Sequence, residues 1–274
     1  MKDAKQLELI ANRNRKRIVE MVYRAGVGHV GGALSVIDLL TAIYENEVDF
    51  GEARRTRVVL SKGHAVPAVY AELAEKGIVD EALFPTFRQI NSRLQGHPFT
   101  RDIPETDATT GLLGQGFSMA LGMALTKKLD GDPHTVYALA GDGEMQEGQI
   151  WEALMAAAHY KLDNLVYIID YNQLPSGHPT NEIINLEPLA DKARAFGCHV
   201  IEIDGHNMEA ILAALEEAKG VKEHPVLILA HTVKGKGVSF MENVPKWHSS
   251  GLTDEEYEIA KRDLEREEAA AHAV

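Results

Sequence analysis

Residues 135–148, TVYALAGDGEMQEG, read as an apolar strand that stops on Gly141-Asp142-Gly143-Glu144 and gives way to a helix. Residues 164–174, NLVYIIDYNQL, repeat the pattern: an apolar strand runs to Asp170 and releases Tyr171-Asn172-Gln173-Leu174. Short, almost continuously apolar runs separated by helical segments are the mark of a parallel sheet covered on both faces. The alternation continues through strands at His199–Asp204 and Pro225–Ala230, with a helix over Met208–Ala218 between them, and it begins earlier with a strand at Arg57–Leu60. The expected fold is therefore α/β, a three-layer α/β/α arrangement around a mostly parallel sheet.

Upstream, Leu7, Ile10, Ile18, Met21 and Val22 recur at helical spacing and predict a helix over residues 3–25. Gly26–Gly32 breaks it, and Ser35 is the expected N-cap of a second helix carrying Val36, Leu39, Leu40 and Ile43. A helix follows Ser61-Lys62-Gly63-His64, and another is expected over residues 114–129. Residues 91–113, interrupted by proline and glycine, read as an irregular loop of the kind that often carries function. From Thr253 the chain is charged and helical, an exposed or inter-chain element. No repeat or linker divides the chain, so residues 1–274 are expected to form one domain with 253–274 as a helical tail.

The formal charge of −13 argues against nucleic acid and anionic membranes as partners, since both need basic surface. The amino terminus, MKDAKQLELIANRNRKR, lacks the apolar centre of a signal peptide, and no apolar run reaches the ~18–20 residues of a membrane span. A single cysteine, Cys198, excludes an internal disulfide and fits a reducing cytoplasm.

Two motifs compete for a chemical reading. Gly26-Val27-Gly28-His29-Val30-Gly31 matches G-x-G-x-x-G, but that pattern binds a dinucleotide only between a strand and a helix, and here it follows a helix. Gly141-Asp142-Gly143 stands instead at the carboxyl end of a strand, where parallel sheets bind ligands. By itself it could be a tight turn closed by an Asx hydrogen bond. Asn172, at the end of the next strand, would point into the same crevice. An aspartate carboxylate, an asparagine amide oxygen and a backbone carbonyl are hard oxygen donors suited to Mg²⁺ or Ca²⁺.

These two strand ends resemble the metal and diphosphate motif of thiamine-diphosphate enzymes. Four phrases around them are similar to the transketolase family, in the same order: Gly28-His29-Val30-Gly31-Gly32, Leu60-Ser61-Lys62-Gly63-His64-Ala65, Gln95-Gly96-His97-Pro98 and Thr110-Gly111-Leu112-Leu113-Gly114-Gln115-Gly116. Gln146-Glu147-Gly148 with Trp151-Glu152-Ala153 completes the set, and the likeness runs over roughly residues 5–260. Deoxyxylulose-phosphate synthases and the E1 components of 2-oxo-acid dehydrogenases share the Asp and Asn but fit the other phrases less well. The resemblance implies that Asp142, Asn172 and the carbonyl of Leu174 hold the cation, and that Gly143, His64 and Asn172 touch the diphosphate. It further implies that Gly111, Leu112 and Leu113 meet the thiamine rings, and that His29, His97 and His248 line the sugar channel, His248 also at the cofactor. Glu147 falls where the family has an interface glutamate near the cofactor. Imidazoles suit this chemistry, because moving a two-carbon ketol unit needs proton transfers near neutral pH. His159 and His199 lack any such context and read as structural or exposed, as does His231, although it ends a strand.

In the family, the glutamate that works with the aminopyrimidine, and the arginines that grip sugar phosphate, belong to a second, pyrimidine-binding domain. The resemblance thus implies one subunit of a split transketolase of the pentose phosphate type, cytoplasmic, paired in an α2β2 heterotetramer with a chain carrying that domain. The alternatives are the matching piece of a deoxyxylulose-phosphate synthase-like enzyme and a non-catalytic assembly subunit.

Overall fold

The computed structural model describes residues 1–174 and 180–273; Val274, the end of the tail, lies outside the described residues. Five strands, β1 (Arg57–Leu60), β2 (Val136–Gly141), β3 (Leu165–Tyr171), β4 (His199–Asp204) and β5 (Val226–His231), form one sheet in the order β1-β2-β3-β5-β4. Every pairing in it is parallel. The helices are α1 (Ala4–Ala25), α2 (Val30–Asn46), α3 (Val66–Glu75), α4 (Gln115–Leu129), α5 (Gly148–His159), α6 (Thr180–Ile183), α7 (Leu189–Ala195), α8 (Met208–Gly220) and α9 (Asp254–Ala273).

Strand residues alternate between two cores. Val58, Leu60, Tyr137, Leu139, Val166, Ile168, Val226 and Ile228 pack toward α1, α2, α3 and α8, whereas Val59, Val136, Ala138, Tyr167, Ile169 and Leu227 pack toward α4, α5 and α7. This division follows from handedness. The steps β1 to β2, β2 to β3 and β3 to β4 all move one way across the sheet, and their crossover helices α4, α5 and α7 share a face. The return from β4 to β5 reverses direction, so a right-handed crossover places α8 on the opposite face.

Two expectations are corrected. Ser35 does not cap a helix: α2 starts at Val30, runs through Gly31 and Gly32, and carries Ser35 inside it, bonded to the Gly32 carbonyl (3.2 Å) and to Asp170 (2.6 Å). Glycine costs a helix about 1 kcal/mol, but a side chain at Gly31 would place Cβ 2.6 Å from the Trp247 carbonyl oxygen. Close approach of two backbones therefore overrides local propensity. The charged tail is not free either. Ala260 and Leu264 of α9 are buried, Tyr257 stacks on Tyr23 with ring centroids 4.0 Å apart, and Asn12 donates to the Leu264 carbonyl (2.9 Å), which binds α9 to α1. Cys198 is buried, and burial pushes its thiol up to about 12, so it stays protonated. Among the described residues no helix is long and apolar enough to cross a membrane.

Candidate functional site

Register brings the strand ends together. Gly141 of β2 lies opposite Asp170 of β3, and Tyr171 of β3 opposite His231 of β5, so the segments that leave these strands rise side by side at the carboxyl edge of the sheet. Asp142 and Asn172 emerge as neighbours there. One Asp142 carboxylate oxygen accepts from the Gly143 amide (2.7 Å) and the other from the Gln173 amide, which ties the two strand tips directly. The Asn172 amide oxygen accepts from the Leu174 amide (3.1 Å), and its nitrogen donates to Asp170 (3.2 Å).

Above these tips opens a cavity of about 480 Å³ walled by His29, His64, His97, Gly111, Leu113, Asp142, Gly143, Glu147, Asn172, Leu174 and His248. Of the site residues read from sequence, Leu112 alone is missing from the walls: it is 77% exposed. A larger hollow of about 700 Å³ lies at the amino edge of the sheet, beside Asp132, His134 and Asn164. Strand geometry favours the carboxyl edge for ligands, and the candidate site residues read from sequence are there.

His29, His64 and His248 form a triangle, with ring centroids 4.9, 5.3 and 5.4 Å apart. Burial, reinforced by Arg88, His97 and Lys234, pushes the His29 imidazole down to about 4. Burial and the Lys62 charge hold His64 well below its ordinary value, and burial with Arg88 lowers His97. These three rings are thus neutral at physiological pH, able to donate through one nitrogen and accept through the other. The buried Nδ1 of His29 has no hydrogen-bond partner among the described residues, which is costly unless a ligand group meets it.

Four residues that sequence reasoning did not assign also shape the site. Lys62, at the end of β1, pairs with Asp170 and donates to the Gly32 carbonyl (2.8 Å). Asp170 also accepts from Ser35 and Thr232, so one buried carboxylate joins α2 to the ends of β1, β3 and β5. Glu144 accepts from Ser61 and from the Gly114 amide (2.7 Å) and fixes the start of α4, where Gly116 lies so close to Ser61 that a Cβ would sit 2.6 Å from its Cα. Lys234 reaches in from the loop after β5, donates to the Leu174 carbonyl and meets His248 Nδ1 at 2.9 Å. The signal for the first three was present: each is a charged residue at a strand end.

The carboxylate of Asp142, the amide oxygen of Asn172 and the carbonyl of Leu174 all belong to the cavity wall and could hold a hard divalent cation. Among the described residues no cluster of three His, Cys, Asp or Glu side chains offers a softer metal a site. Lys62, Lys234 and the amino end of α2 add positive potential for a phosphate.

A parallel sheet with such an oxygen set at adjacent strand tips and a histidine-lined cleft above defines an α/β protein whose ligand cleft lies at the carboxyl edge of the sheet. Residues 7–274 match the family described as transketolase, thiamine diphosphate binding domain, and the chain belongs to that family. It is 44% identical over 263 residues to one of the named subunits of the apulose-4-phosphate transketolase of Phocaeicola vulgatus, covering 94% of this chain and 93% of that one. It is 46% identical over 264 residues to 6-deoxy-6-sulfo-D-fructose transketolase subunit SqwG of a Clostridium species, covering 94% and 96%. The solved transketolase of Campylobacter jejuni superposes with a TM-score of 0.88 at 30% identity over 99% of this chain. This chain spans 46% of that transketolase, less than half its length.

Proposed function

We propose that this chain binds the diphosphate arm of thiamine diphosphate through a divalent cation, Mg²⁺ or Ca²⁺, held by Asp142, Asn172 and the Leu174 carbonyl. On this reading residues 1–274 are one binding domain and one subunit of a cytoplasmic transketolase. A separate chain supplies the pyrimidine-binding domain in an α2β2 assembly, and the reaction moves a two-carbon ketol group from a ketose phosphate to an aldose phosphate. The observation that carries the reading is the bond from the Gln173 amide to Asp142, because it sets both oxygen-bearing side chains at one point of one cleft. Subunit names of the two relatives matched almost end to end support the two-chain arrangement. Their named substrates, a sugar phosphate and a sulfo-sugar, widen the donor class to ketoses with an anionic end.

The thiamine ring supplies the carbanion chemistry when bound. The chain's own residues do the rest. Gly143 and His64 contact the diphosphate, while Gly111 and Leu113 flank the rings. His29, His97 and His248 hold sugar oxygens and pass protons between them, and the depressed imidazoles of His29 and His97 keep an acceptor nitrogen at neutral pH. Glu147, exposed at the mouth, faces the partner chain.

The purified chain with thiamine diphosphate and Mg²⁺ should transfer no ketol groups, and a chain bearing the pyrimidine-binding domain should restore turnover. Robust transfer by this chain alone would overturn the two-chain reading. Formation of products from pyruvate but not from ketose phosphates would favour the synthase-like alternative.

A further inference from the structure

Lys234 donates from Nζ to the carbonyl oxygen of Leu174, the same atom assigned above to the cation. The lysine is 2% exposed; burial and the Lys62 charge lower its ammonium to about 8, and Asp142 and Asp170, close by, offset part of that loss. The ammonium therefore stands in the field of the cation site and on one of its donors. An ammonium about 3 Å from this oxygen and a divalent ion about 2.1 Å from it would be at most about 5 Å apart, both desolvated. Like charges at that separation repel strongly in a protein interior. The Asp142 carboxylate offsets part of that repulsion, and a diphosphate bridging the two positive groups would carry the charge to offset the rest.

We propose, resting on the cation site above, that Lys234 makes divalent-metal binding conditional on the diphosphate. Its ammonium competes with the metal for the Leu174 carbonyl, and the two positive groups share the site only when diphosphate oxygens join them. The lysine then acts as a gate against idle metal binding and couples metal to cofactor. Its loop is positioned for this: the Gly235 amide donates to the Gly31 carbonyl (3.0 Å), and a side chain at Gly235 would strike the Met241 backbone at 2.6 Å, so the segment is clamped between α2 and the following turn.

The test measures Mn²⁺ binding by electron paramagnetic resonance on the full chain, with and without inorganic pyrophosphate, taking the signal lost in Asp142→Ala as the site-specific part. The parent chain should bind Mn²⁺ weakly alone and far more tightly with pyrophosphate. Lys234→Met, which keeps the apolar stem, should bind Mn²⁺ alone at least ~10-fold more tightly and lose most of the pyrophosphate enhancement. Lys234→Arg, which keeps the charge, should behave like the parent, and a merely structural lysine would not make the Met variant bind Mn²⁺ alone more tightly. If Lys234→Met binds Mn²⁺ alone no more tightly than the parent, or if the Arg variant matches the Met variant, the gate is wrong while the cation site stands. If no Asp142-dependent Mn²⁺ binding occurs even with pyrophosphate, the cation site itself is wrong.

Discussion

Replacing Asp142 with alanine is expected to abolish metal-dependent binding of thiamine diphosphate, with a loss of at least ~100-fold, equivalent to about 2.7 kcal/mol. The side chain is 2% exposed and sits at the carboxyl edge of the sheet. It is the carboxylate of the proposed oxygen set, so its removal leaves the cation with an amide oxygen and a carbonyl and no negative charge from the protein. It also breaks the hydrogen bonds from Gly143 and Gln173 that hold the strand tips together. Calorimetric titration with the cofactor in excess Mg²⁺, in the assembled complex, measures the effect. Unchanged affinity would remove the cation from this position and with it the functional reading.

The second large effect concerns stability. Lys62→Met should lower folding stability by about 3–5 kcal/mol at neutral pH, because it leaves the charge of Asp170 buried without its cation. The exposures of the two side chains, 3% and 0%, exclude screening by solvent. Burial by itself would raise the Asp170 carboxyl. The Lys62 ammonium and the hydroxyls of Ser35 and Thr232 outweigh burial and hold the carboxyl below its ordinary value. A depressed folded value means that the pair's contribution is complete above the ordinary carboxylate value of 3.8 and is lost as pH falls through the lower folded value. The loss in Lys62→Met is therefore at full strength at pH 7. Thermal and denaturant unfolding of the variant measures it, and adding Asp170→Asn should recover part of the loss by removing the stranded charge. A single variant as stable as the parent would show that the pair does not brace the site.

Much of the fold was legible because its main signal is local. Val136–Ala140 and Leu165–Ile169 are too short and too uniformly apolar to be anything but buried strands, and a polar residue just beyond such a strand must lie at the sheet's edge. That reasoning located Asp142 and Asn172 without any knowledge of tertiary contacts. It failed where distant backbone decides the local structure. Gly31-Gly32 reads as a break, yet it lies in α2 because the Trp247 carbonyl packs where a side chain would be. Lys62 and Asp170 were both visible at strand ends, but 108 positions separate them and nothing local announces their pairing. The tail is the helix expected, but its charge hid the spacing of Tyr257, Ala260 and Leu264, which marked the stripe that packs on α1. Leu112 was carried into the site as part of a phrase, and the structure leaves its side chain exposed beside the cavity that Gly111 and Leu113 line.

The central claim is a single position in space. Crystals of the complex grown with Mn²⁺ and thiamine diphosphate should give an anomalous-difference peak at bonding distance from the Asp142 carboxylate, the Asn172 amide oxygen and the Leu174 carbonyl together, with the diphosphate on its far side. A peak elsewhere, or cofactor density away from these strand tips, would contradict the account.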